Sequence, residues 1–299
     1  MKIIGSNKGE LLSGTGDSDV IYGNKGSDHV FANGSDIIMG TAREQVFAGQ
    51  GNDFIGGFSL QLDNLKKSAS YGSTIDGGSG IDTLFLGIAS SDKIVYLDNA
   101  ARAFRMNSVE DIIYCVDGPS RQRVFGTDRG ETIVLGDTGL NVDGRNGNDY
   151  IFAKSGNDTI SGGNGNDFIH AGEGHNIVRG GAGVDFFHFY FEEEVTEYTA
   201  ISDFRHGVDK FVIQYRFADV ADDDYPYDIE SPEFGEAHQF VNFDGGREID
   251  RATFHRDSGF FSRNVEYERE TGSVLLAGVL IAHIDGSPKM TESDFLFAC

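Results

Sequence analysis

The segment GRNGNDYIFAKSGNDTISGGNGNDFIHAGEGHNIVRGGAGVDFFH, residues 144–188, decides how the chain is read. Asp149, Asp158, Asp167 and Asp185 fall on a nine-residue grid, with Asn176 in the slot between the last two. An apolar residue stands two positions after each of them: Ile151, Ile160, Ile169, Val178 and Phe187. Glycine stands two positions before each, at Gly147, Gly156, Gly165, Gly174 and Gly183, and Gly144, Gly162 and Gly180 open alternate units. A fixed short period is the mark of a repeat architecture, in which each unit is completed by its neighbours.

Each unit divides into about six turn residues and about three strand residues, and so short a strand is not stable alone. Stacking solves this. Successive strands form two parallel sheets, two units make one coil, and turns on the same edge lie eighteen residues and about 4.8 Å apart. The apolar residue two after each acid then fills the space between the sheets. Asp149, Asp167 and Asp185 line one edge, and Asp158 and Asn176 line the other. Carboxylates stacked at that spacing repel by several kcal/mol at an effective dielectric of ~20. A cation between them removes the conflict. The donors are carboxylate and carbonyl oxygens, with no His or Cys in the slots, which selects a hard ion and favours calcium over magnesium.

A looser array precedes this one, with slots at Asp19, Asp28, Asp36, Gln45 and Asp53 and steps of nine, eight, nine and eight. One further clean copy, GGSGIDTLF at 77–85, carries Asp82, and a degenerate copy, GTDRGETIV at 126–134, carries Glu131. The units resemble the RTX nonapeptide repeat, GGxGxDxUx, where U is a large apolar residue. The resemblance implies an all-β fold, the parallel β-roll, with calcium held between same-edge turns. Its metal-site residues here are the acids and the Asn of residues 144–188 with their turn glycines, together with Asp19, Asp28, Asp36, Asp53 and Asp82. Slipped spacing and Gln45 set the first array apart and predict incomplete calcium occupancy there.

The expected organisation is an irregular N-terminal roll over 1–85 with an inserted loop or short helix at 57–76, then spacer strands over 86–125. The main roll covers 126–190, and a β-rich cap and secretion module covers 191–299. Within the spacer, KIVYLD and VEDIIYC read as strands. The segment ISDFRHGVDKFVI, 201–213, and the tail resemble the C-terminal module of type I-secreted, serralysin-like proteins. Asp294-Phe295-Leu296-Phe297 is similar to the acid-plus-apolar signal read by a type I exporter; the other reading is a final edge strand. MKIIGSNKGE has no apolar signal-peptide core, and no stretch is long enough to span a bilayer.

The formal charge of −24, from 24 basic against 48 acidic residues, excludes nucleic acid as a partner and calls for cations. Two cysteines are too few for a disulfide framework, and Cys115 is expected to pack in a strand. No HExxH or GxSxG pattern occurs. His170 and His188 end units eighteen residues apart and are expected at solvated strand positions, with a transition-metal pair as the alternative. The acidic runs Glu192–Glu194 and Asp222–Asp224 read as solvated loops. Tyr225, Tyr227, Phe234, Phe240 and Phe243 read as cap core. The expected function is a secreted, non-enzymatic calcium-binding protein acting as a structural or interaction module at the cell surface or matrix. Its expected partners are calcium, a type I exporter and an extracellular polysaccharide or cell surface. The alternative is an extracellular polysaccharide-acting enzyme of lyase or epimerase type, or an accessory module of one.

Overall fold

A computed structural model describes residues 2–13, 20–25, 29–31, 45–61, 73–102, 104–107, 109, 111–191, 198–215, 248–249, 265–276, 278–286 and 288–298. An eleven-stranded sheet runs from Leu11–Ser13, through Tyr150–Phe152 and Phe168–His170, to Lys210–Tyr215 and Phe295–Ala298. Between its strands the chain crosses to a second layer, which is divided. A five-stranded sheet holds Lys2–Ile4 to Phe104–Asn107, and a nine-stranded sheet runs from Ile94–Tyr96 to Val265–Glu268. Throughout the repeats the pairing is parallel, and the central register is one coil: Ile151 pairs with Ile169, Ile169 with Phe187, and Ile160 with Val178. The fold is therefore the parallel β-roll expected from the spacing.

The residues two after each acid slot are the filling. Ile151, Ile160, Ile169, Val178 and Phe187 are each at most 2% exposed. Burying a side chain of this size stabilises by roughly 1.5–3 kcal/mol, and the period delivers one such residue to every strand. The strands are unequal. Those of the long sheet have three residues here, whereas Thr159–Asn164 and Asn176–Ala182 of the facing sheet run on into the glycines of the next unit. Gly163 pairs with Gly181 in that extension, so part of what the sequence presents as turn is ladder.

The segment 86–125 adds strands to both layers. Ile94–Tyr96 and Asp111–Asp117 stand where the two strands were expected, joined by the only α-helix among the described residues, Leu97–Arg102, and by Phe104–Asn107. Register shifts across this seam. Leu84, in the apolar slot after Asp82, pairs with Ile112, but Ile133, in the slot after Glu131, pairs with Tyr114 and thus aligns with Leu86. The two arrays are out of step by two residues, one full pleat, which keeps apolar side chains facing inward.

The expected insertion at 57–76 is shorter than the sequence suggests. Phe54–Gln61 continues as strand and Ser73–Ser79 begins the next, leaving 62–72 outside the described residues. A strand that outlasts its repeat unit has no periodic signature, so repeat spacing alone does not mark its end. The acidic and aromatic residues at 192–194, 222–225, 227, 234, 240 and 243 also lie outside the described residues. At the C-terminal end, Val265–Glu268, Ser273–Leu276 and Val279–Ile284 form an antiparallel meander that joins the roll where Ala282 pairs with Thr199.

The last strand is built in. Phe295–Ala298 pairs in parallel with Lys210–Tyr215, and Phe295 is fully buried against Phe211. Asp294, also fully buried, accepts hydrogen bonds from His206 Nδ1 at 2.8 Å, Gly207 N at 2.8 Å and Thr291 N at 2.6 Å. The acid-plus-apolar tail is thus an edge strand in the folded protein.

Close stacking of turns sets the glycine requirement. Gly165 has φ +131°, and a Cβ there would lie 1.6 Å from Gly147 O of the coil below. Gly207 also has positive φ, at +76°, but a Cβ there meets nothing within 4 Å. Gly165→Ala is expected to destabilise the folded protein by about 3 kcal/mol or more, and Gly207→Ala by about 1 kcal/mol. Denaturant titration of both variants checks the difference.

Candidate metal centre

Each turn of the roll is tied to its neighbours by side-chain atoms eighteen residues away. On one edge Oδ1 of each acid accepts the backbone N–H of the acid slot one coil earlier. Glu131 N donates to Asp149 at 3.1 Å, Asp149 N to Asp167 at 2.9 Å, and Asp167 N to Asp185 at 3.2 Å. On the other edge Leu140 N donates to Asp158 at 2.6 Å and Asp158 N to Asn176 at 2.8 Å. The two rows are those the spacing implies. The same bond recurs in the first array, from Asp53 N to Asp82 Oδ1 at 2.9 Å, with both acids buried. Asp19, Asp28 and Asp36 lie outside the described residues.

The second carboxylate oxygens are the unusual atoms. Asp149, Asp158 and Asp167 are at most 1% exposed, and their Oδ2 atoms are buried with no hydrogen-bond partner. A buried carboxylate oxygen left bare is costly unless a positive charge sits beside it. The turn glycine makes room at that oxygen: a Cβ on Gly162 would stand 2.3 Å from Asp167 Oδ2, and one on Gly144 would stand 2.5 Å from Asp149 Oδ2. Burial pushes these acids up: Asp149 to about 8, with the Glu131 charge adding to the effect, Asp185 to about 7, and Asp158 and Asp167 to about 6. Bare oxygens, a cradle cleared of side chains and an all-oxygen donor set fit a hard divalent cation.

Not every slot is open. Glu131, one methylene longer, turns its carboxylate onto its own turn, accepting Thr127 N and Thr127 Oγ1 at 2.5 Å each. Asn176 also closes its turn. Its Nδ2 donates to Ala171 O at 2.9 Å and Gly172 O at 3.2 Å, so an amide supplies the positive end that Asp158 lacks. Placed in the metal set by its register, Asn176 has no bare carboxylate oxygen. Asp185 is met by a guanidinium.

The asparagines before the acids went unassigned in the sequence. Asn148 Oδ1 accepts Asn166 N at 2.8 Å, Asn166 Oδ1 accepts Val184 N at 2.7 Å, and Asn157 Oδ1 accepts His175 N at 3.0 Å. Aspartate bonds run to the earlier coil and asparagine bonds to the later one, so each Asn-Asp pair clamps its turn from both sides. The recurrent Asn in GND was the available signal. His170 and His188 depart from the solvated positions expected of them. They are 8% and 3% exposed, with Nδ1 atoms 3.2 Å apart and His188 packed on Phe168. Cys115 is a free thiol in strand Asp111–Asp117, pushed up to about 12 by burial, which disfavours the thiolate.

Comparison with known families agrees with this geometry. The family model of the RTX calcium-binding nonapeptide repeat, which spans four copies of the repeat, matches residues 4–36, 143–178 and 154–187. The chain carries RTX repeats, and such repeats bind calcium. The matches end before the C-terminal meander and do not include 45–85. No curated protein matches the chain.

Raised carboxyl values fix a pH dependence. In the metal-free fold these groups hold protons more tightly than in the unfolded chain, so their contribution to stability is present at acid pH. It is lost as pH rises through about 6 to 8, the values reached by Asp158, Asp167, Asp185 and Asp149. Calcium held by these oxygens would compete with protons for them. The chelated protein is expected to gain sheet circular dichroism as pH falls from 8 to 5, and the calcium concentration needed for folding at pH 6 should exceed that at pH 8. A pH-independent signal in chelator would contradict this.

Proposed function

We propose that this is a secreted, non-enzymatic calcium-binding protein whose β-roll folds on extracellular calcium and serves as a structural or interaction module at a cell surface or matrix. The observation that carries this reading is the set of buried, bare Oδ2 atoms on Asp149, Asp158 and Asp167. These carboxylates hold calcium together with backbone carbonyls of the turns that Gly144, Gly147, Gly156, Gly162 and Gly165 shape. Asp53 and Asp82 offer the same row in the first array. Calcium neutralises carboxylates that otherwise oppose folding, so binding and folding are one equilibrium.

Export is consistent with this coupling. A chain of charge −24 that is unfolded without calcium is fit for passage through a channel, and extracellular calcium modules work at roughly 10⁻⁴–10⁻³ M, far above cytosolic levels. Among the described residues no helix is long and apolar enough to cross a membrane. The tail 294–297 is open to an exporter only before Phe295 packs on Phe211, so calcium withdraws the address once the protein is outside.

Two measurements test the proposal. Chelation at neutral pH is expected to remove most of the sheet signal, calcium to restore it, and magnesium at the same concentration to do so poorly; an unchanged spectrum after confirmed calcium removal would sink the calcium-folding reading. Deletion of residues 290–299 is expected to stop accumulation in the medium of a host with a type I exporter, while calorimetric calcium binding by residues 126–190 persists. Normal accumulation would count against the exporter.

A further inference from the structure

The acid row of the central roll does not end on an unfilled oxygen. Asp185 is the last acid of the array, fully buried, and its Oδ2 is contacted at 3.2 Å by Nη2 of Arg205. The same nitrogen donates to Gly183 O and to Asp209 Oδ1, the latter at 2.7 Å, and Nε reaches Asp209 Oδ2 at 3.1 Å. Asp209 stands in for the next acid slot: its Oδ1 accepts Asp185 N at 3.2 Å, the bond that Asp185 makes to Asp167 one coil earlier. It arrives twenty-four residues after Asp185 instead of eighteen, and the additional length carries Arg205.

Asp185 Oδ2 is the chemical equivalent of the bare Oδ2 atoms of Asp149 and Asp167, and Gly183 O is the equivalent of Gly147 O and Gly165 O. Among the described residues, a side-chain cation touches both at this level alone. We infer that Arg205 is a built-in replacement for calcium at the last site of the row, neutralising Asp185 and Asp209 without metal and thereby fixing where calcium loading stops. The inference rests on the calcium reading of the lower sites. Its chemical sense is that a guanidinium is always charged and presents several donors, so it satisfies two carboxylates and a carbonyl together. It requires no ion from solution. The terminal coil closes as soon as Arg205 is in place and gives the metal-dependent coils a preformed template.

Removing the charge should therefore open a site. In the full chain Arg205→Ala is expected to bind one more calcium per molecule than the unaltered protein in calorimetric titration, and to need a higher calcium concentration to reach half its sheet signal. Arg205→Lys, which keeps a cation there, is expected to retain the original stoichiometry. Unchanged stoichiometry in a folded Arg205→Ala variant overturns the inference. So does failure of that variant to fold at saturating calcium, since the ion should then fill the vacated place. Loss of calcium binding by the unaltered protein would instead overturn the underlying calcium reading, and the two failures are distinct.

Discussion

The roll depends on one divided carboxylate. At Asp149, Asp158 and Asp167, one oxygen of the buried carboxylate accepts a backbone N–H from the neighbouring coil, while the other faces no proton donor. The first oxygen fixes the stacking distance. The second makes stacking conditional, because a buried unpartnered charge costs several kcal/mol. Three-residue strands add too little to override such a cost. The hydrophobic filling sets which way the strands face, and the electrostatics of the turns set whether they assemble.

Much of this was legible in the sequence. Ile151, Ile160, Ile169 and Phe187 announced the inner face, and the nine-residue grid announced the two edges, because both follow from a period that a linear reading preserves. The rest depends on atoms whose partners are set by folding. Glu131 resembled a weaker aspartate, but its additional methylene lets it bond Thr127. Asn176 resembled a neutral ligand, but its amide donates to Ala171 and Gly172. His170 and His188 were expected in water because they end their strands, yet they are buried against each other. The two-residue offset between Leu84 and Ile133 left no mark, since a shift of one full pleat preserves the alternation on which sequence reading relies.

The closed slots show three ways of supplying positive charge to a turn without metal: a hydroxyl and amide N–H to Glu131, a side-chain amide at Asn176, and a guanidinium at Asp185. They differ in reach more than in kind. Glu131 and Asp185 border the open positions Asp149 and Asp167 on one edge, and Asn176 borders Asp158 on the other.

The eighteen-residue translation also governs how such a chain can change length. Inserting or deleting eighteen residues adds or removes one coil, and every bond between Asn166 and Val184, or Asp149 and Asp167, finds an equivalent partner. A change of nine residues would exchange the two sheets for all that follows and bring Arg205 and Asp209 to the wrong edge. Repeat number in this architecture therefore has a parity, and duplication by pairs of units is the step that leaves the terminal coil in register.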